Sequence, residues 1–328
     1  MHQRGFSKIT AIAIVAILLI GGVAAFVWYQ KQSKPPVEIP KPAVIDTAPK
    51  VAKIGTSVEG RSIDSYTFTK GATAPAAVPA SPVAQSSVPT PKHLTIVGGI
   101  HGGYEWNSVI LAYQFIDYFT AHPEAIPANT TITIIPSANP DGVYKIIGKT
   151  GRFGISDIPA GGASASAGSA TGVGRFNAHD VDLNRNFDCK WKPESTWRTK
   201  KVSAGTSAFS EPEAQAIRDF ARSTQDVGFS TGLNTFIFLH SQSNAVYASE
   251  CTNGILPVTR DIMNAYSKAS GYKAVDVFDS YEVTGDAEGW LASIGIPAIT
   301  VELSTHQAVE WEKNLSGVKS VLEYYSKQ

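Results

Sequence analysis

Apolar positions recur along this chain with two different spacings, strand-like and helix-like. Short apolar runs at Ser65 to Thr69, Leu94 to Ile100, Thr131 to Pro136, Thr235 to Leu239 and Ala298 to Leu303 read as strands. Their length and the turn-forming residues beside them fit buried strands better than helices. Helical spacing predicts helices over Trp106 to Thr120, Val258 to Ser270 and Trp311 to Tyr325. In the first of these, Val109, Ile110, Tyr113, Phe115 and Ile116 gather on one side. A further helix opens at Ser210-Glu211-Pro212-Glu213 and runs through Phe220. There serine caps, proline occupies the first turn and the acids face the positive end of the dipole. Strands alternating with helices predict an α/β fold: a three-layer α/β/α domain with a mixed, largely parallel central sheet.

One apolar stretch has neither period. Ile9 to Trp28 is almost continuously apolar, with Arg4 and Lys8 before it, and roughly 20 such residues span a bilayer. Ala24 and Ala25 run straight into Phe26, Val27 and Trp28, so no clean cleavage site follows. Residues 1–8 are therefore a short leading segment, 9–29 a transmembrane signal anchor, 30–50 a Pro/Lys-rich linker and 51–328 one folded domain. That domain is expected outside the cytoplasm, membrane-anchored, or secreted if the apolar segment is cut. Gly71 to Pro91 and Gly148 to Gly174 read as low-complexity surface loops.

The chain has 328 residues, with 28 Lys plus Arg balancing 28 Asp plus Glu. No long basic run appears, which argues against nucleic acid as a partner. Cys189 and Cys251 are the two cysteines. Two exclude a cysteine-rich zinc fold and permit one disulfide, expected in an exported domain if their loops meet.

The stretch Gly98 to Asn107, GGIHGGYEWN, places His101 and Glu105 just after a strand, where ligand sites of open α/β sheets gather. Imidazole and carboxylate on a glycine-rich turn make half of a zinc site. His240, also at a strand end, completes a His2Glu set for one Zn2+, with a fourth position left for water. Read alone, His240 could equally be a hydrogen-bonded core histidine. Glu302 sits inside the apolar end of a strand, where an acid is costly unless paired or working. It is either a general base or a structural acid. Arg175 and the run Val181-Asp182-Leu183-Asn184-Arg185-Asn186-Phe187 crowd guanidinium and amide groups that suit carboxylates and oxyanions, or else form a loop tied by Asp182–Arg185 contacts.

Taken in order, these pieces resemble the zinc metallocarboxypeptidases, the carboxypeptidase A-like peptidases. They are the His/Glu turn, Asn139-Pro140-Asp141-Gly142, Arg175, the Asp-Leu-Asn-Arg-Asn-Phe segment, His240-Ser241, Tyr281 before a glycine-rich turn, and Val301-Glu302-Leu303. The resemblance covers Val51 to Tyr325. It implies that His101, Glu105 and His240 bind zinc and that Glu302 is the general base and later proton donor. It also implies that Arg175 stabilises the oxyanion, that Asn184 and Arg185 grip the substrate's terminal carboxylate, and that Tyr281 covers the bound end. The pattern departs at one place, since three residues separate His101 from Glu105 where the family has two. Two glycines in that turn can absorb the extra residue.

By the same resemblance, the segment after Tyr281 floors the terminal side-chain pocket. Asp286 or Glu288 would there attract a substrate cation, unless both are the solvated first turn of a helix. His179 and His306 are loop residues near the expected site: either contacts substrate, or, in the preferred reading, both are solvated loop histidines. The expected partner is a peptide substrate, with a cell-wall stem peptide as the alternative. A non-catalytic surface binding module is the reading of a different class, motivated by the longer His101–Glu105 turn.

Overall fold

The computed structural model describes residues 48–70, 92–159, 172–226 and 234–328. The expected anchor over 9–29 lies outside these, as do the linker up to residue 47, all of Gly71 to Pro91 and residues 160–171 of the second low-complexity loop. Among the described residues no helix is long and apolar enough to cross a membrane.

In chain order the first elements are β1 (Lys50–Thr56), β2 (Ser62–Lys70), β3 (Lys92–Val97), α1 (Trp106–Ala121), β4 (Thr130–Ile135) and α2 (Pro140–Ile147). Then come β5 (Glu194–Trp197), β6 (Lys200–Ser203), α3 (Pro212–Asp226), β7 (Asn234–Ser241) and β8 (Ala245–Ala248). The last are α4 (Pro257–Ser270), β9 (Lys273–Val275), α5 (Ala287–Ser293), β10 (Ala298–Leu303) and α6 (Trp311–Ser326). Eight of the strands form one mixed sheet in the order β1-β2-β4-β3-β7-β10-β8-β9, and β5 and β6 pair separately. The central four, β4, β3, β7 and β10, run parallel. β1, β2 and β8 are antiparallel to the neighbours that lead inward to that centre.

Strand alternation sorts the core into two layers. Leu94, Ile96, Ile237, Leu239, Ile299 and Val301 face α1, α4 and α6. Val97, Phe236, Phe238 and Ala298 face α3 and α5. Every residue of β7 is buried, which is why its sequence is an apolar run instead of an alternation. His240 continues the Phe236/Phe238 face, and Glu302 continues the Ala298/Thr300 face of the next strand. The register sets Glu302 directly beside His240 at the carboxyl ends of the parallel strands.

Cys189 and Cys251 are joined, with their Cα atoms 5.9 Å apart and a separation of 62 positions in sequence. Closing a loop of that length restricts the unfolded chain by about 4 kcal/mol. Replacing both cysteines by serine should lower the denaturation free energy by about that much. A denaturant titration checks it, and an unchanged midpoint would contradict the entropic account.

Candidate metal centre and substrate cavity

The His101 turn is built by close backbone approach. After β3 the chain makes a single 3-10 turn over Gly102–Glu105, which carries the three residues between His101 and Glu105. Gly102 has φ +50°, and a Cβ there would meet Gly174 O at 2.5 Å and Gly142 Cα at 2.8 Å. Three backbone segments thus converge where only glycine fits. The Asn139-Pro140-Asp141-Gly142 turn explains itself here as the start of α2. Asn139 Oδ1 accepts from Gly142 N and its Nδ2 donates to Arg175 O, fixing the arginine's backbone.

His101, Glu105 and His240 present ligand atoms that all lie within 4.8 Å of one another, and all three residues are buried. His240 Nδ1 is 3.2 Å from Glu105 Oε2. Donors about 2.0–2.1 Å from a tetrahedral ion lie about 3.3 Å apart, so this spacing fits zinc. Behind the ring, His240 Nε2 meets Glu288 Oε1 at 3.2 Å, and Glu288 also accepts from Thr300 Oγ1. Asp182 Oδ1 lies 3.6 Å from His101 Nδ1. Carboxylates behind ligating imidazoles fix ring orientation and raise ligand basicity.

Charge around the centre is uneven. Burial, with Arg175 nearby, holds the His101 imidazole well below its usual range and hence neutral. Burial opposes protonation of His240 too, but Glu105 and Glu288 outweigh it and raise that imidazole to about 10. Burial, helped by Glu105, pushes the Glu302 carboxyl up to about 8. Its Oε2 has no hydrogen-bond partner among the described residues. A ligating imidazole must be neutral. Zinc uptake at pH 7 should therefore release at least one proton, and affinity should rise as pH climbs toward 10. Zinc titration calorimetry in two buffers of different ionisation enthalpy reads this, and identical apparent enthalpies would contradict it.

Arg175 is buried, donates through Nε to Asp182 Oδ2 at 2.9 Å and lies 3.8 Å from Glu105 Oε1. Its guanidinium sits 4.7 Å over the Trp197 ring. The Asp182–Arg185 contact considered from sequence forms only along the backbone, Arg185 N donating to Asp182 O at 2.9 Å, because the Asp182 carboxylate pairs with Arg175. Arg185 instead donates to the carbonyls of Thr196 and Asn184, and no carboxylate among the described residues lies in ion-pair range of it. Asn184 Oδ1 accepts from Ala287 N, leaving Nδ2 as a donor. Tyr281 packs on Phe278 and on the Tyr104/Trp197 cluster.

All ten residues singled out from sequence line one cavity of about 400 Å³. Two bland readings are overturned. Glu288 is buried and Asp286 half-buried instead of solvated: Asp286 caps α5 by accepting from Gly289 N, and Glu288 backs His240. His306 is also buried, with Nδ1 2.7 Å from Ser241 Oγ. His179 is exposed and bonds Glu211 away from the cavity. Sequence reasoning missed Asp182, Trp197 and the His306–Ser241–Asn107 network. Only Asp182 left a local signal, an acid between two apolar residues.

Comparison with known proteins agrees with this geometry. The family model described as zinc carboxypeptidase matches residues 46–316. A γ-D-glutamyl-L-diamino acid endopeptidase 1 of Lysinibacillus sphaericus is 25% identical over 182 residues, covering 54% of this chain and 43% of that protein. The chain spans less than half the length of the curated relatives it matches. Bovine thrombin-activatable fibrinolysis inhibitor shares the fold with TM-score 0.60 at 18% identity, over 85% of this chain and 91% of that one. Murein-tripeptide amidase MpaA from Escherichia coli O157 does so with TM-score 0.54 at 19% identity, over 88% and 96%. With the family model covering most of the sequence and a His-Glu-His group able to hold one metal ion, the chain belongs to the zinc carboxypeptidase family.

Proposed function

We propose that this protein removes C-terminal residues from peptides, with Glu302 as general base and Arg175 as oxyanion stabiliser. The observation carrying the reading is the buried Arg185, which lines the cavity with no carboxylate of its own. Its forked guanidinium and Asn184 Nδ2 suit an incoming terminal carboxylate. Zinc held by His101, Glu105 and His240 supplies Lewis acidity. Glu302 takes a proton from the attacking water as its oxygen adds to the carbonyl carbon. Arg175 donates to the developing oxyanion. Glu302 then gives the proton to the amine nitrogen as the C–N bond breaks, and Tyr281 covers the bound end.

A screen of zinc-loaded protein on peptides with varied C-terminal residues tests this, with chelator as control. Cleavage of free-acid peptides, lost on chelation, is expected; cleavage restricted to amidated peptides would reject an exopeptidase.

Asp286 and Glu288 both line the cavity, which favours a terminal residue carrying a cation. The second reading follows from those acids: a murein stem peptide ending in a diamino acid, supported by the γ-D-glutamyl-L-diamino acid named for the Lysinibacillus relative and the murein tripeptide named for MpaA. Chromatography of digested muropeptides separates the two, because an unchanged profile beside cleavage of plain lysine-ended peptides removes the cell-wall reading. The disulfide supports our proposal that the domain works outside the cytoplasm, anchored through 9–29.

A further inference from the structure

The one bulky side chain between His101 and Glu105 is Tyr104, and no step above uses it. Its side chain is 1% exposed, its hydroxyl has no partner among the described residues, and its ring lines the cavity. The ring is held edge-on between Trp197, at 5.4 Å between centroids, and His306, at 4.6 Å. His306 is also 1% exposed, lines the same cavity and leaves Nε2 unpartnered.

Hydrogen bonding fixes what that nitrogen can do. Asn107 Nδ2 donates to the carbonyls of Thr305 and Ala308, so Oδ1 is the free acceptor. Ser241 Oγ donates to it at 3.2 Å and must therefore accept from His306 Nδ1 at 2.7 Å. Burial keeps the His306 ring below its usual pKa, so Nε2 carries a lone pair. Tyr104 thus offers a donor and His306 an acceptor, side by side.

We propose that Tyr104 and His306 hydrogen-bond the peptide backbone on the N-terminal side of the scissile bond and make the enzyme selective for longer peptides. In an extended chain one residue turns its N–H and C=O to the same side, as in paired strands. A neighbouring donor and acceptor match that edge. The charged groups acting on both side chains are Glu105, Arg175 and Arg198, and Tyr281 packs on the same cluster from the terminal end, so the pair stands on the reacting-carbonyl side, away from Arg185, Asp286 and Glu288. Buried polar atoms without partners are costly, and a bound backbone relieves both. The inference rests on the carboxypeptidase reading, which sets the substrate's direction.

The test is calorimetric binding to the zinc-loaded full chain carrying Glu302→Gln, with N-acetyl-alanyl-alanyl-lysine and propanoyl-lysine as ligands. Both share the terminal lysine, and only the first has upstream backbone. Two added hydrogen bonds should favour the longer ligand by about tenfold. Adding Tyr104→Phe, or His306→Asn, which keeps a donor for Ser241, should cut that ratio by about threefold each while one zinc per chain is retained. A ratio near one in the parent, or one that survives both substitutions, overturns the inference while propanoyl-lysine binding leaves the carboxypeptidase reading intact. If neither ligand binds a zinc-loaded chain, the terminal grip itself fails and the inference falls with it.

Discussion

Glu302→Gln should cut turnover by about 10²- to 10⁴-fold, the range expected for a lost general base, and leave zinc bound. Glutamine has the same shape and stays beside His240 in the strand register, so the ligand set is not disturbed. What disappears is the carboxylate that accepts and returns the proton. In the metal-free site that carboxyl is raised to about 8, first by burial and then by Glu105. A positive ion beside it favours the ionised form, so the acidic limb of kcat/KM in the loaded enzyme should lie below 8. His240→Ala separates base from ligand, since it should lose zinc as well as activity. Steady-state kinetics with metal analysis of both variants decides this: equal metal loss in the two would contradict the division of labour.

The same two residues show what a sequence can reveal about a site. His240 and Glu302 end apolar strands, and a polar residue where burial is forced announces either a cost or a task. Their adjacency followed once β7 and β10 were parallel neighbours. His101 and Glu105 were legible from the strand-turn-helix pattern around them. His306 was not, because its burial depends on Ser241 and Asn107, which lie 65 and 199 positions away along the chain in different elements. The pairing of Asp182 was misjudged for a related reason. Arg185 is the nearer arginine in sequence, and only the fold brings the more distant Arg175 onto it. β5, β6, β8 and β9 span three or four residues each, too few to display a period. The acids Asp286 and Glu288 looked solvated because helix first turns usually are, whereas α5 packs into the core through Trp290 and Leu291.

Arg185→Ala should reduce kcat/KM on free-acid peptides by a few hundredfold, corresponding to about 3–4 kcal/mol for one partner lost from a buried charge pair. On C-terminally amidated peptides, which bring no charge to the guanidinium, the loss should be far smaller. The contrast matters more than either number, because general damage to the cavity would depress both substrates alike. Such damage is limited by what Arg185 holds. Its own bonds go to the carbonyls of Thr196 and Asn184, and no buried carboxylate would be stranded by its removal. Arg185→Lys refines the point, since lysine keeps the charge and loses the planar fork. Intermediate activity would assign part of the grip to geometry. Recovery to the wild-type level would reduce it to charge alone, and equal losses of free-acid and amidated substrates in the alanine variant would remove the exopeptidase grip altogether.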